Sequence, residues 1–191
     1  VTTGTNDTVY AIACDGPNNF LIVGGSFTSP FDYIVQYDIA GQIWNQITTG
    51  IDNTVRALLY DGNKIYIGGD FTQLSLTLIS PSVPVYYVAV YDCSTNTFDT
   101  IPSSSPTPLG IASNGVNDSC NAIYVRNEIV CGGNFEYAFQ NAPLPSLYYT
   151  QCNSIAIFDS VNIVWSKMVS EIPYLNGPVN GAVNAISVIG D

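Results

Sequence analysis

The sequence predicts an all-β chain, a tandem series of short four-stranded antiparallel sheets. Two observations carry that prediction: one set of landmarks recurs along the chain in fixed order, and no segment shows an apolar period of about 3.6 residues. The first landmark is Val9-Tyr10-Ala11-Ile12, matched by Val55-Arg56-Ala57-Leu58, Cys120-Asn121-Ala122-Ile123 and Val183-Asn184-Ala185-Ile186. The second is Gly-Gly-x-Phe, at Gly24 to Phe27, Gly68 to Phe71 and Gly132 to Phe135. The third is an apolar run closed by an acid at Asp38, Asp92 and Asp159, and six residues beyond each acid stands an aromatic, Trp44, Phe98 and Trp165.

Each copy therefore reads as strands A to D. Strand A is the Val-x-Ala-Ile run, and strand B ends in the glycine pair (Phe20 to Gly25, Lys64 to Gly69, Glu128 to Gly133). Strand C ends at the aspartate, and strand D carries the late aromatic. The runs are rich in Val, Ile and Tyr and alternate with Asp15-Gly16, Ala40-Gly41, Asp61-Gly62 and Asn127, residue types that tolerate the left-handed backbone of tight turns. The copies are expected at about 7–48, 53–102 and 118–169, with the first strand of a fourth within about 181–191.

Tandem four-stranded sheets with a glycine pair and a late aromatic are the pattern of β-propeller blades. The pairing of Gly-Gly with a later aromatic resembles kelch-type and galactose-oxidase-type blades. The fuller string, Val-x-Ala-Ile, Gly-Gly-x-Phe-Thr, Tyr-Asp and Trp, is most similar to the propeller repeats of fungal cortical polarity-marker proteins and of giant-virus surface proteins. The third copy departs from it, with Glu136 in place of the threonine and longer loops. The resemblance implies a propeller and a surface or structural role, and carries no activity of its own. Propellers typically close with 4 to 8 blades, so three leave two uncovered blade faces. The sequence reads as a piece of a longer protein, the fourth copy stopping after one strand and no initiator methionine opening the chain. The alternative is a short domain that closes by association with copies of itself.

Composition narrows the partners. Four basic residues face 15 acidic ones, for a net charge of -11, and 47% of residues are hydrophobic. Nucleic acid and anionic membrane are poor partners for such a surface, because phosphate binding draws its affinity from Lys and Arg. No apolar run reaches the roughly 20 residues of a membrane span. A surface built from Ser, Thr, Asn and Gln fits an extracellular, cell-surface or virion-surface location. Asn6-Asp7-Thr8 and Asn117-Asp118-Ser119 are acceptor sequons for N-glycosylation at Asn6 and Asn117. The matching Asp52-Asn53-Thr54 is not a sequon, which favours a second reading of all three as hydrogen-bonded turns.

The chain has no histidine, which removes Ser-His-Asp and Cys-His catalysis and histidine-ligated metals. A non-enzymatic protein without a cofactor is expected. Carboxylates are the remaining chemistry, and a carboxylate- or calcium-dependent hydrolase or lyase is the alternative. Asp38, Asp92 and Asp159 recur at one place in the repeat, so they are expected to hold the C-to-D turn. Trp44, Phe98 and Trp165, with Phe27, Phe71 and Phe135, are expected between blades. The glycine pairs follow a strand without opening a helix or preceding Gly-Lys, so they are packing positions rather than a phosphate loop. Five cysteines lack metal or dithiol spacing. Cys120 and Cys131 would share a sheet face and are a candidate disulfide, Cys131 and Cys152 are another, and buried thiols are the third reading.

Function is expected where the copies differ. The B-to-C and D-to-A connections vary most, and because strand direction alternates within a blade, both emerge on one end of the structure. Candidate binding residues there are Phe31 and Asp32 in the first copy and Tyr86 and Tyr87 in the second. In the third they are Glu136, Tyr137, Phe139, Asn141, Tyr148 and Tyr149, followed by Tyr174 and Asn176. Tyrosine with amides and acids suits a protein or glycan partner, and the tyrosines before strand C have packing beneath their own loops as their other role. Self-association is the alternative, through uncharged edges such as Leu74 to Ile79.

Overall fold

A computed structural model of the chain describes residues 4–15, 19–47, 50–75, 82–95, 97–99, 101, 115–141, 147–168, 179 and 181–187. All regular structure among them is β. The first sheet is a meander of β1 (Val9–Asp15), β2 (Phe20–Gly25), β3 (Ile34–Asp38) and β4 (Ile43–Gln46). The second sheet begins with β5 (Val55–Asp61) and β6 (Lys64–Gly69). A separate hairpin, β7 (Gln73–Ser75) and β8 (Ser82–Pro84), precedes its outer strands β9 (Val88–Asp92) and β10 (Thr97–Asp99). A short strand β11 (Gly115–Val116) leads into the third sheet, which opens with β12 (Cys120–Val125) and β13 (Glu128–Gly133). Between β13 and its outer strands runs the hairpin β14 (Tyr137–Asn141) and β15 (Leu147–Gln151), after which β16 (Ile155–Asp159) and β17 (Val164–Lys167) complete the sheet.

The three principal sheets share the order A-B-C-D. Their first strands stand side by side, β1 against β5 and β5 against β12, so the sheets stack as successive blades about their A strands. Strand A carries the same irregularity in every copy: the register with strand B slips between Val9 and Ala11, Val55 and Ala57, and Cys120 and Ala122. The displaced carbonyls of Thr8, Thr54 and Ser119 accept from the amides of Ser26, Asp70 and Asn134, at 3.0, 2.9 and 3.0 Å. A bulge of this kind re-aims the strand without leaving its polar groups unpaired.

The glycine pair is explained by what approaches it. A Cβ on Gly24 would meet Val55 Cγ1 at 2.5 Å, one on Gly68 would meet Cys120 Sγ at 2.8 Å, and one on Gly132 would meet Val183 Cγ1 at 2.5 Å. In each case the intruder is the first residue of the next copy's Val-x-Ala-Ile run. The glycine is thus the point of closest approach between blades. Residues 181–187 take that place on the third blade, with the Val183 amide donating to the Gly133 carbonyl at 3.1 Å. They form no strand with the described residues, so the expected first strand of a fourth blade sits in its place on the third blade without ladder pairing.

Phe27, Phe71 and Phe135 are fully buried. One cluster of the core joins Ala13, Ile22 and Ile34 of the first blade to Ile67, Phe71 and Ala89 of the second. Another joins Ala57 and Val88 of the second blade to Cys131, Phe135 and Trp165 of the third. Strands C and D hold each other through tilted or edge-to-face aromatic pairs placed directly opposite: Tyr37 and Trp44 with centroids 4.7 Å apart, Tyr91 and Phe98 at 5.3 Å, Phe158 and Trp165 at 5.1 Å.

At the C-to-D turns the three aspartates do what their repetition predicted. Asp38 Oδ1 accepts from the amides of Ala40 and Gly41, Asp92 Oδ1 from those of Ser94 and Thr95, and Asp159 Oδ1 from those of Val161 and Asn162. The left-handed residue falls later than expected, on Gln42 (φ 53°) and Ile163 (φ 57°) rather than on Gly41, because the carboxylate has already closed the turn at the amides before it. Gly62 takes its expected left-handed conformation (φ 62°), Asn127 does not, and Gly16 lies outside the described residues.

The candidate Cys120–Cys131 disulfide is not formed. The bulge sets Cys120 opposite Gly133 and Cys131 opposite Ile123, and both are buried free thiols. Cys152 is likewise a free thiol, so the Cys131–Cys152 alternative is not formed either. A hydrogen bond with Cys120, together with burial, pushes the Cys131 thiol well above its ordinary range.

Candidate binding face

One end of the stacked blades is built from the approach to strand A and the B-to-C connection. A side-chain clamp joins them in every copy. Asn6 Oδ1 accepts from the amides of Thr28 and Ser29 at 2.9 and 3.0 Å, Asp52 Oδ1 from Thr72 and Gln73 at 2.9 and 3.1 Å, and Asn117 Oδ1 from Glu136 and Tyr137 at 2.9 and 2.8 Å. These bonds place both connections at the same end, and they give Asn6 and Asn117 the turn-holding role read from the sequence. The Asn6 amide also donates to Thr28 Oγ1 at 3.1 Å.

Beyond the clamp, each copy leaves and re-enters its sheet through one backbone stem. In the first, the Gly25 amide donates to the Tyr33 carbonyl and the Tyr33 amide to the Phe27 carbonyl; Gly69, Tyr87 and Phe71 repeat this, as do Gly133, Ser154 and Phe135. The re-entry residue is left-handed each time, with φ of 58° at Tyr33, 61° at Tyr87 and 72° at Ser154. Nothing in the sequence marked these positions, since none is glycine. Between the same two stem positions the first copy runs through residues 28–32, the second through 72–86 and the third through 136–153.

The longer excursions are hairpins where the sequence reading had loops, and isolated bridges connect them. Ile51 bridges to Leu74 on β7, β7 pairs with β8, Tyr86 bridges to Gly115 on β11, β11 pairs with β14, and β14 pairs with β15. The bridge from Tyr86 to Gly115 is what links the second blade's ladder to the third's. A Cβ on Gly115 would run into the Tyr86 carbonyl, so this crossing needs glycine. Leu74, expected as an open edge, is instead buried within this ladder, and residues 76–79 of that candidate edge lie outside the described residues.

The candidate residues divide sharply on this frame. Tyr86 and Phe139 come together across the crossing, with centroids 4.9 Å apart, and Tyr137 and Tyr149 meet edge to face at 5.2 Å. Tyr149 is 66% exposed and Glu136 is exposed beside the clamp. Phe31 instead packs on the first blade's apolar cluster, and Tyr87 packs on the core between the second and third blades. The Asp32 carbonyl accepts from the Ile34 amide at 2.7 Å, in the short first-copy connection away from the hairpins. Asn141 and Tyr148 are placed by backbone register only, opposite Leu147 and Gln140, and Tyr174 and Asn176 lie outside the described residues.

Electrostatically this end is acidic. Burial, and then the charges of Asp118, Asp70 and Asp52, push the Tyr87 hydroxyl above its ordinary value. One ion pair, missed in the sequence reading, interrupts the acidity: Arg56 Nε donates to Asp70 Oδ1 at 2.7 Å, Arg56 Nη2 lies 2.7 Å from Asp70 Oδ2, and the guanidinium sits 5.2 Å from the Tyr10 ring centroid. Burial alone would lift Asp70, but the bonds from Arg56 and Ser119 prevail and hold it below its ordinary value. The signal for this pair was present in the repeat, as the second residue of the Val-x-Ala-Ile run and the third of Gly-Gly-x-Phe. Arg56 and Asp70 are the copy that carries opposite charges at those two sites.

No family model matches the chain, and no curated protein matches it in sequence. Among solved structures it is similar to a computationally designed protein, Ika4, at 14% identity and a TM-score of 0.54, over 98% of this chain and 83% of that one. It is also similar to the WD40 repeats of RRP9, at 13% identity and a TM-score of 0.47, and to U3-55K, at 14% identity and 0.48. The chain spans 40% and 49% of the length of those two. The likeness to Ika4 concerns fold alone. The meander order of each principal sheet and the row of A strands describe an all-β chain of β-propeller blades.

Proposed function

We propose that the chain is a non-enzymatic recognition module that binds a polypeptide bearing lysine or arginine through the hairpin ladder of its second and third blades. One observation carries the reading: two insertions of unrelated sequence leave the scaffold at the same stem, are bridged from Tyr86 to Gly115, and present Tyr149. Elaboration at one end of a repeated scaffold is how repeat proteins build contact surfaces. Exposed tyrosine supplies rigid contact area at small entropic cost. The net charge of -11, with Glu136, Asp52 and Asp118 at this end, favours encounter with a cationic partner. The polar, lysine-poor composition supports a secreted, cell-surface or virion-surface setting.

The test is a random peptide library displayed on phage, panned on the immobilised chain, with a glycan array run in parallel. Enrichment of basic peptides whose binding falls at least about fivefold in Tyr149→Ala, the loss of a residue worth roughly 1 kcal/mol, is the expected result. Peptides that bind Tyr149→Ala undiminished, or ligands found on the glycan array alone, would overturn it.

A further inference from the structure

The hairpin of β14 and β15 leaves one strand edge without a partner among the described residues. Its sheet runs β11, β14, β15, so β15 is the outer strand. Two bonds fix which backbone groups face outward. The Asn117 amide donates to the Tyr137 carbonyl at 3.0 Å, which turns the backbone groups of Tyr137 and, two residues on, Phe139 toward β11. The Cys152 amide donates to the Glu136 carbonyl at 2.9 Å, which turns those of Glu136 and Ala138 toward β15. Direction alternates along a strand, so Thr150, opposite Ala138, completes the β14 ladder, and the N–H and C=O groups of Leu147, Tyr149 and Gln151 point away from it.

This edge lacks the devices by which sheets discourage a further strand. Elsewhere β8 includes Pro84, β10 ends on Asp99 and β17 ends on Lys167. By contrast β15 reads Leu-Tyr-Tyr-Thr-Gln, with no charge, proline or glycine, and its register with β14 runs without a bulge. One face of the hairpin is taken up by the third blade, where Thr150 Oγ1 donates to the Trp165 carbonyl at 3.2 Å. The other face carries Tyr149 and Gln151, both exposed, with Tyr137 edge to face against Tyr149.

We propose, resting on the reading of this chain as a polypeptide-binding module, that the polypeptide binds as an added antiparallel strand along β15. That is the sense of the β14 and β15 ladder it extends, and the stronger of the two senses per residue. A guest residue opposite Tyr149 exchanges two backbone hydrogen bonds with it and lays its side chain on the exposed face beside the ring. Charge selects the occupant. The chain carries a net charge of -11, and Glu136 is exposed at the Gln151 end of the edge, where its carbonyl holds the Cys152 amide. A second copy of this strand is thereby opposed, and a guest with lysine or arginine at alternate positions is favoured, one cation lying against the Tyr149 ring.

The test is fluorescence anisotropy of the full chain with an end-blocked, labelled heptapeptide of alternating lysine and valine. In the antiparallel pairing the lysine amides face β15 and the valine amides face solvent. N-methylation of the lysines should therefore weaken binding at least about tenfold, because the bonds to the edge are lost, whereas N-methylation of the valines should leave it within about twofold. Gln151→Pro removes one outward N–H that the fold does not use and keeps Tyr149, so it should bind at least about fivefold more weakly than Gln151→Ala. An unchanged circular dichroism spectrum checks that variant, and the methylated peptides test the edge on the unmodified chain. Equal binding of the two methylated peptides, or loss on valine methylation instead, would overturn the added strand and leave polypeptide recognition standing. A heptapeptide that fails to bind while basic peptides from the phage library bind would do the same; failure of both kinds of peptide would remove the recognition reading, and the added strand with it. A doubled chain mass in light scattering without peptide, abolished by Gln151→Pro, would give the edge to a second copy and overturn the proposal as well.

Discussion

The two ends of the blades carry the same strands and have opposite histories. At the turn end, three aspartates close three C-to-D turns with bonds to the second and third amides beyond, and the connection barely changes from copy to copy. At the ladder end, the clamp and the stem are equally constant, but the chain between the stem positions grows from residues 28–32 to 136–153 and changes from a short loop into a hairpin. The difference shows how a repeat tolerates variation. The hydrogen bonds that define entry to and exit from the sheet are kept, and the excursion they bracket is free to lengthen because its cost in closure entropy grows only slowly with length.

If that division is sound, substitutions should separate by end and by depth. The largest effect belongs to the buried repeat residues: Phe135→Ala should cost about 4 kcal/mol in urea unfolding, since it opens a cavity at the joint of two blades. A loss under about 1 kcal/mol would mean that the third blade's core is not the shared one described above.

A middle effect is expected at the turn end, and it depends on pH. Side-chain and backbone bonds from Ser94 hold Asp92 below its ordinary carboxylate value of 3.8, and bonds from Asn162 do the same for Asp159. A carboxylate whose folded pKa lies below its unfolded value stabilises the fold fully above the unfolded value, and that contribution is lost as pH falls through the folded one. Asp159→Ala should therefore lower the melting temperature near neutral pH, and the gap between variant and parent should narrow below pH 3.8. Asp159→Asn, which keeps an acceptor for the Val161 and Asn162 amides, should lose less than Asp159→Ala. Equal melting temperatures for Asp159→Ala and the parent at neutral pH would remove the turn from the structural side of the comparison.

The smallest effect on stability belongs to the ladder's exposed tyrosine. Tyr149→Ala should leave unfolding within about 0.5 kcal/mol of the parent, while reducing peptide binding. A large loss of stability there would recast the hairpins as part of the scaffold. Trp165→Phe tests the depth of the repeat itself: the second copy already has Phe98 at this site, and the Trp165 indole N–H is buried with no partner among the described residues. The change should cost no more than about 1.5 kcal/mol, because the lost volume is set against removal of an unpaired donor.

Much of the fold was legible because it is written in triplicate. Strand identity, the acids at the turns, the glycine pair as a packing point and the buried phenylalanines each follow from a residue type whose local physics leaves few alternatives, and the repetition confirms them internally. The binding face was legible only as a region. Its candidates, drawn from the variable connections by residue type, include Tyr87 and Phe31, which the structure packs inward, alongside Tyr149, which it leaves exposed. Local sequence does not distinguish a tyrosine beneath a loop from one on top of it.

What the amino-acid order determined by itself is therefore the blade: short-range pattern selects strands, turns and the clamp, each through contacts within one copy. What only the tertiary structure decided is everything that depends on which strand or connection a residue meets. The bulge that sets Cys120 opposite Gly133, the left-handed Tyr33, Tyr87 and Ser154, the Arg56–Asp70 pair and the bridge from Tyr86 to Gly115 all belong to that class. The physical reason is that register and burial are set by the neighbour a strand meets, and a one-residue slip or a different neighbour changes them without altering any local propensity.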